Sequence, residues 1–225
     1  MGSIGAGYGE DANMLKVNAL SFGYETRLVS DLSFTVPAGE IALVHGPSGC
    51  GKSTLLSLIS GTQDAAVKWD GEIWLGDVNI ALLPPHRRAV GLMFQEPLLF
   101  PHLTVGDNLA FGLAEMVKGR LRRDAVDAAL ESAGLDGFAA RDPASLSGGQ
   151  AARIALMRAL LAAPQALLLD EAFSSLDPDL RQQFGQFVAT QIKRRHIPAL
   201  LVSHDEADRQ FATGKVLRLD GFNTG

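Results

Sequence analysis

The chain has 225 residues, 47% hydrophobic and 20% charged, which is enough apolar material for one full-sized domain with a subdomain and excludes disorder along its whole length. Its 25 acidic against 20 basic residues give a formal charge of -5, without the Lys and Arg excess that a general nucleic-acid binder uses to neutralise phosphates. The single cysteine, Cys50, excludes an internal disulfide and suits a reducing compartment.

Residues 1–13 carry Gly2, Gly5, Gly7 and Gly9 and no hydrophobic period, so they read as a flexible tail or a cloning remnant ahead of Met14. The first basic residue is Lys16 and no apolar stretch precedes it, which is not a signal-peptide pattern. No apolar run approaches the roughly 18 to 20 residues of a membrane-crossing helix, so cytoplasmic residence is the expectation. Short runs rich in Val, Ile, Leu and Phe predict strands over 15–20, 32–36, 41–45, 72–75, 90–94, 166–170, 199–203 and 216–219. Helical stretches are predicted over 52–60, 124–133, 150–163 and 180–195. Continuous apolar runs such as Ala166-Leu167-Leu168-Leu169 suit strands covered on both faces, and the alternation of strand and helix predicts an α/β fold with a mostly parallel sheet. Between about 97 and 164 the strand signal disappears and Ala, Leu and Arg dominate, which predicts an all-helical subdomain inserted into a domain spanning 14–225.

Directly after the apolar run at 41–45 comes Gly46-Pro47-Ser48-Gly49-Cys50-Gly51-Lys52-Ser53-Thr54, which fits G-x-x-x-x-G-K-[ST] and leads into a helical stretch. Glycines let the backbone curl so that successive N–H groups point at phosphate oxygens, and the helix N-terminus adds partial positive charge. Lys52 supplies a full charge to β- and γ-phosphates, and Ser53 offers a hydroxyl to Mg²⁺. Cys50 occupies a position of the loop where any small residue fits.

Phosphoryl transfer also needs a carboxylate for the metal and a group to orient the attacking water. The run Leu167-Leu168-Leu169 delivers Asp170 at a strand's C-terminal end, the edge where open α/β sheets bind ligands, and Glu171 follows. Asp170 is the expected Mg²⁺ ligand, through water, and Glu171 the expected general base. Further on, Leu146-Ser147-Gly148-Gly149-Gln150 opens a long helix with Ile154, Met157 and Leu161 on one stripe. Ser147 with the N–H groups of Gly148 and Gly149 makes a second helix N-terminus suited to phosphate, or an ordinary Ser cap with glycines.

Taken in order, the phosphate loop, Gln95 in Gly91-Leu92-Met93-Phe94-Gln95, the signature segment 146–150, Asp170-Glu171, Ser174-Ser175-Leu176-Asp177 and Ser203-His204-Asp205 resemble the nucleotide-binding subunit of an ATP-binding cassette (ABC) transporter over residues 14–221. The resemblance implies a phosphate-loop fold with a small antiparallel β region beside the parallel core. It implies that two copies sandwich two ATP molecules head to tail, with Ser147, Gly148, Gly149 and Gln150 of one copy facing the other copy's phosphate loop. By the same resemblance Tyr24 stacks on adenine, with Phe22 as a competing platform. Gln95 contacts Mg²⁺ and the lytic water, His204 touches the γ-phosphate, and Asp177 lines the dimer interface.

Two positions depart from the family pattern. Ala172 stands where the family usually has Pro, so that turn is expected to lose rigidity, and Ala151-Ala152-Arg153 replaces more polar residues after the signature. The segment 94–105 resembles that of bacterial small-solute importers, as does 177–181. The chain's end near Gly225 implies a short cassette without the extra C-terminal β domain of sugar-importer subunits. Expected partners are a second copy, integral-membrane permease subunits and, indirectly, a solute-binding protein, on the inner face of the cell membrane, with no nucleic acid. The competing reading is a soluble ABC ATPase of DNA repair or translation, opposed by the acidic balance and the absence of a long coiled-coil insertion. A phosphate-loop GTPase is disfavoured because no Asn-Lys-x-Asp segment occurs.

Overall fold

A computed structural model describes residues 13–219; of the expected tail at 1–13, residues 1–12 lie outside the described residues, while Asn13 donates from its side-chain amide to the His196 carbonyl. Two sheets form the frame. The first is antiparallel, with β1 (Leu15–Gly23), β2 (Arg27–Val36), β4 (Lys68–Leu75) and β5 (Val78–Asn79) in the order β2-β1-β4-β5. The second is parallel, with β3 (Ile41–His45), β6 (Val90–Met93), β7 (Ala166–Asp170), β8 (Ala199–Ser203) and β9 (Val216–Arg218) in the order β6-β7-β8-β3-β9.

The apolar runs of the parallel strands are covered on both faces, as their sequence requires. Leu43, Leu167, Leu169 and Leu201 face one core cluster, shared with the helices, while Ala42, Val44, Leu168 and Leu200 face a second, shared with the antiparallel sheet and the phosphate-loop helix. Alternation along each strand therefore assigns neighbouring leucines to different cores.

Helix α1 (Lys52–Ser60) follows β3 directly, and α5 (Pro178–Arg195) connects β7 to β8. Among the described residues, no strand lies between Met93 and Ala166; that stretch holds α2 (Val105–Phe111), α3 (Gly119–Ala133) and α4 (Gly148–Leu161). Helix α2 has no counterpart among the predicted helices, because seven residues with Gly106 and Asn108 carry too little apolar period to register. Its start was nonetheless written locally: the Thr104 hydroxyl accepts the Asp107 N–H at 3.1 Å. Helix α3 begins five residues before the predicted 124, through a mostly exposed Arg-rich first turn without a fully buried residue, in which Arg122 donates to the Val117 and Ala110 carbonyls.

Strands β1 and β2 run longer than predicted. Their hairpin ladder continues through polar residues and register shifts at Leu20 and Phe22, so the alternation that marks a strand is broken where backbone pairing persists.

Candidate nucleotide and hydrolysis site

In the parallel sheet β8 lies between β3 and β7, so the phosphate loop after β3, the acidic pair at the end of β7 and His204 after β8 emerge side by side at the C-terminal edge. There a cleft of about 350 Å³ is lined by Tyr24, Leu28, the loop residues Ser48, Gly49 and Gly51 to Thr54, and Glu171.

The loop's shape follows from its glycines. Gly49 and Gly51 have φ of 81° and 102°, a region that L side chains avoid. A Cβ on Gly51 would stand 2.9 Å from the Phe22 ring, and one on Gly46 would meet the Leu219 carbonyl and the Cys50 sulfur. Lys52 is 6% exposed, and its ammonium donates to the carbonyls of Gly46 and Pro47 at 2.8 and 2.9 Å, curling back over the loop that it closes. Cys50 is buried in the core beside the antiparallel sheet, which places its sulfur beneath the loop.

The two aromatic candidates separate clearly. Phe22 is fully buried under Gly51, whereas Tyr24, in the turn between β1 and β2, is 46% exposed and lines the cleft. Of the two, Tyr24 alone lines the cleft.

Ser53 Oγ lies 3.5 Å from Asp170 Oδ1. Burial, and then the neighbouring Glu171 charge, push the Asp170 carboxyl above the ordinary aspartate range, against the pull of the Ser53 hydroxyl and the Lys52 ammonium. A cation between Ser53 and Asp170 would offset both raising effects, so this pair fits a hard divalent ion that takes its remaining oxygens from phosphates and water. Among the described residues there is no cluster of three His, Cys, Asp or Glu that could hold a metal ion.

Glu171 Oε2 lies 2.6 Å from His204 Nδ1. Glu171 has a positive φ of 52°, and its turn is held by its N–H donating to the Val202 carbonyl and by the Ser174 N–H and hydroxyl donating to its own carbonyl. Proline disfavours α backbone at the residue before it, a restriction that Ala172 does not place on Glu171. Ala172 itself is buried, and the turn is fixed by three hydrogen bonds and by core packing.

The cleft of one chain does not include every candidate. Gln95 is exposed on the loop after β6, its carbonyl accepting from Ser175 Oγ at 3.4 Å, and it is absent from the cleft lining. Ser147, Gly148, Gly149 and Gln150 also lie outside that lining. Ser147 and Gln150 form a reciprocal capping box on α4, and a Cβ on Gly149 would stand 3.1 Å from the Leu180 side chain, so this N-terminus adjoins α5. Asp177 caps α5 by accepting the Leu180 N–H at 3.0 Å. The sequence reading missed Leu28, which lines the cleft, and a buried polar cluster of Arg181, Ser203 and Asp208 behind His204. Arg181 lies one helical turn after Asp177, a spacing that carries no chemical signal alone.

A phosphate loop closed by its lysine, with an acidic pair and a histidine on adjacent strand ends, defines a phosphate-loop nucleotide-binding protein. The ABC transporter family model matches residues 29–174. The ABC transporter ATP-binding protein YnjD of Escherichia coli strain K12 is 49% identical over 184 residues, covering 82% of this chain and 85% of YnjD. The thiamine import ATP-binding protein ThiQ of the same strain is 40% identical over 210 residues, covering 92% of this chain and 89% of ThiQ. The solved structure of cbiO1 from Clostridium perfringens, part of the ABC transporter complex cbiONQ, superposes with a TM-score of 0.80 at 25% identity, covering 94% of this chain and 88% of that one. The chain belongs to the ABC transporter family, as an ATP-binding subunit that hydrolyses ATP. Among the described residues, no helix is long and apolar enough to cross a membrane.

Proposed function

We propose that this chain hydrolyses Mg²⁺-bound ATP to power import of a small solute through a separate membrane permease, working as a pair of copies closed head to tail around two ATP molecules. The observation that carries this reading is that Lys52, Ser53 and Glu171 line one cleft, with Asp170 bonded to Ser53 and His204 bonded to Glu171 from adjacent strand ends.

In this reading Tyr24 stacks on adenine, and the N–H groups of the loop from Gly46 to Thr54, Cys50 included, wrap the phosphates. The Lys52 ammonium exchanges its loop carbonyls for β- and γ-phosphate oxygens. Ser53, Asp170 and Gln95 would hold Mg²⁺, which when bound neutralises charge on the phosphate oxygens. Glu171 accepts a proton from water as the water oxygen bonds to the γ-phosphorus and the bond to the ADP oxygen breaks, releasing ADP and phosphate. His204, bonded to Glu171, orients that carboxylate and reaches the γ-phosphate. Ser147, Gly148, Gly149 and Gln150 serve the partner copy's ATP, in keeping with their position outside their own chain's cleft. Asp177 lies between Leu176 and Leu180, the side chains that a Cβ on Gly148 or Gly149 would meet.

Three large exposed apolar side chains, Phe94, Leu98 and Phe111, support a permease docking surface beside Gln95, and the Phe111 ring packs 4.7 Å from Phe100. The relative ThiQ, a thiamine import subunit by name, supports import. On this reading the chain works on the inner face of the cell membrane, with a solute-binding protein acting through the permease. Recovery of the tagged chain from detergent-solubilised membranes of its own cell tests this. A polytopic permease at stoichiometric yield is the expected result. Recovery from the soluble fraction only, with DNA or ribosomes, would overturn the transporter reading in favour of a repair or translation ATPase.

A further inference from the structure

Behind the hydrolysis site, Arg181 joins three segments that approach the cleft from different parts of the chain. Its own N–H donates to the Asp177 carbonyl at 2.8 Å, and its Nε donates to the Phe173 carbonyl at 3.3 Å, two residues past Glu171. Its Nη1 bonds the Asp205 carboxylate and stands 3.7 Å from Asp208 Oδ1. Asp208 in turn accepts the Ser203 hydroxyl at 2.6 Å, and Ser203 Oγ accepts the Asp205 N–H at 3.0 Å. Both neighbours of His204 are thus anchored, directly or through one buried carboxylate, to a single guanidinium whose side chain is 14% exposed.

Packing also holds these segments together. Phe173 of the Glu171 turn, Phe184 of α5 and Phe211 at the end of the 203–211 segment already pack as an aromatic cluster, with ring centroids 5.6 and 5.0 Å apart. Buried ionic groups contribute little net stability beside such packing, because desolvation offsets their attraction. A planar fork contributes direction, fixing several acceptors at once where a lysine would make a point contact.

We propose that Arg181 is a positioning residue for hydrolysis: from the end of α5 that begins at Asp177 it sets His204, and through His204 the Glu171 carboxylate. The proposal rests on the site reading above, in which Glu171 is the base and Asp177 faces the partner copy. Movement of the Asp177 segment on closure then reaches His204 through one side chain, without passing through the nucleotide.

The test is steady-state ATPase of the full chain, with ATP affinity measured by calorimetry. Arg181→Lys keeps the charge and loses the fork. It is expected to lower kcat by about ten- to a hundredfold through a misplaced base, with ATP affinity within about twofold of wild type. Added to His204→Ala, it is expected to give no further loss beyond about twofold, because it acts through the residue already removed. Asp205→Asn keeps the cap on the Ala207 N–H and loses the ion pair; being partly exposed, it serves as the second variant if Arg181→Lys does not fold, with the same pattern expected. A near wild-type kcat in either folded variant overturns the proposal, as does a loss that simply multiplies with that of His204→Ala. Glu171→Gln and His204→Ala both turning over like wild type would overturn the site reading itself, and the positioning role with it.

Discussion

Glu171 Oε2 and His204 Nδ1 stand 2.6 Å apart across the ends of neighbouring strands β7 and β8, so the carboxylate is held by a ring and its backbone by the next strand's carbonyl. Glu171→Gln keeps an oxygen for that contact but cannot take a proton from water. It is expected to retain ATP binding and lose hydrolysis by about 10²- to 10⁴-fold, the range for removal of a general base. Single-turnover hydrolysis with ATP binding measured in parallel checks this; turnover near wild type would remove Glu171 as the base.

Much of this arrangement was legible because it is local. The loop at 46–54, its strand and its helix are contiguous, and β3, α1, β7 and β8 have the boundaries that their apolar runs predict. The parallel order that brings Asp170, Glu171 and His204 to one sheet edge beside the phosphate loop is not local, since β7 and β8 lie far from β3 in sequence; only the resemblance supplied it. The choice between Phe22 and Tyr24 was likewise closed to sequence, because two aromatics two residues apart share one face of a regular strand. The chain leaves that strand at Gly23, and this sends the first ring under Gly51 and the second to the cleft.

That separation has a direct consequence. Tyr24→Ala is expected to weaken ATP binding while leaving stability within about 0.5 kcal/mol, as for exposed substitutions, and Tyr24→Phe should restore the affinity because stacking needs only the ring. Phe22→Ala removes a fully buried ring and is expected to cost about 3 to 5 kcal/mol of stability. Denaturant unfolding and calorimetry on the three variants separate the two effects. A Tyr24→Ala chain that binds ATP like wild type would exclude Tyr24 as the base platform.

Lys52→Ala removes an ammonium that makes two hydrogen bonds to the loop it closes. Charge-assisted hydrogen bonds contribute about 1.5 to 3 kcal/mol, so ATP affinity is expected to fall by about 10- to 150-fold. Calorimetric titration with ATP reads this directly, and unchanged affinity would count against the phosphate-loop assignment.

The loop's glycines are not equivalent. Gly49 and Gly51 both have positive φ, but a Cβ at 49 meets nothing within 4 Å whereas one at 51 stands 2.9 Å from the Phe22 ring. Gly49→Ala is expected to cost about 1 to 2 kcal/mol of backbone strain alone. Gly51→Ala adds a steric clash with a fully buried ring and should be the more destabilising of the pair. Urea unfolding of both variants checks the order, and equal losses would mean that Phe22 yields without cost.

Arg88 shows how the other end of the phosphate-loop helix is held. It is buried, and its guanidinium donates to the carbonyls of Leu58 and Ile59 in the last turn of α1 and to those of Ala81 and Leu83. A helix C-terminus carries partial negative charge and unpaired carbonyls, so a cation there satisfies both. Desolvation pushes the guanidinium below its ordinary pKa. Truncation leaves these acceptors without their donor inside the protein, and Lys can satisfy only part of the set. Arg88→Ala is therefore expected to destabilise the chain by about 3 kcal/mol, with Arg88→Lys recovering less than half of it. Because α1 carries Lys52 and Ser53 at its opposite end, ATP should protect the wild type against thermal unfolding more than it protects Arg88→Ala. Equal protection of the two would show that the helix keeps its place over the phosphates without this cap.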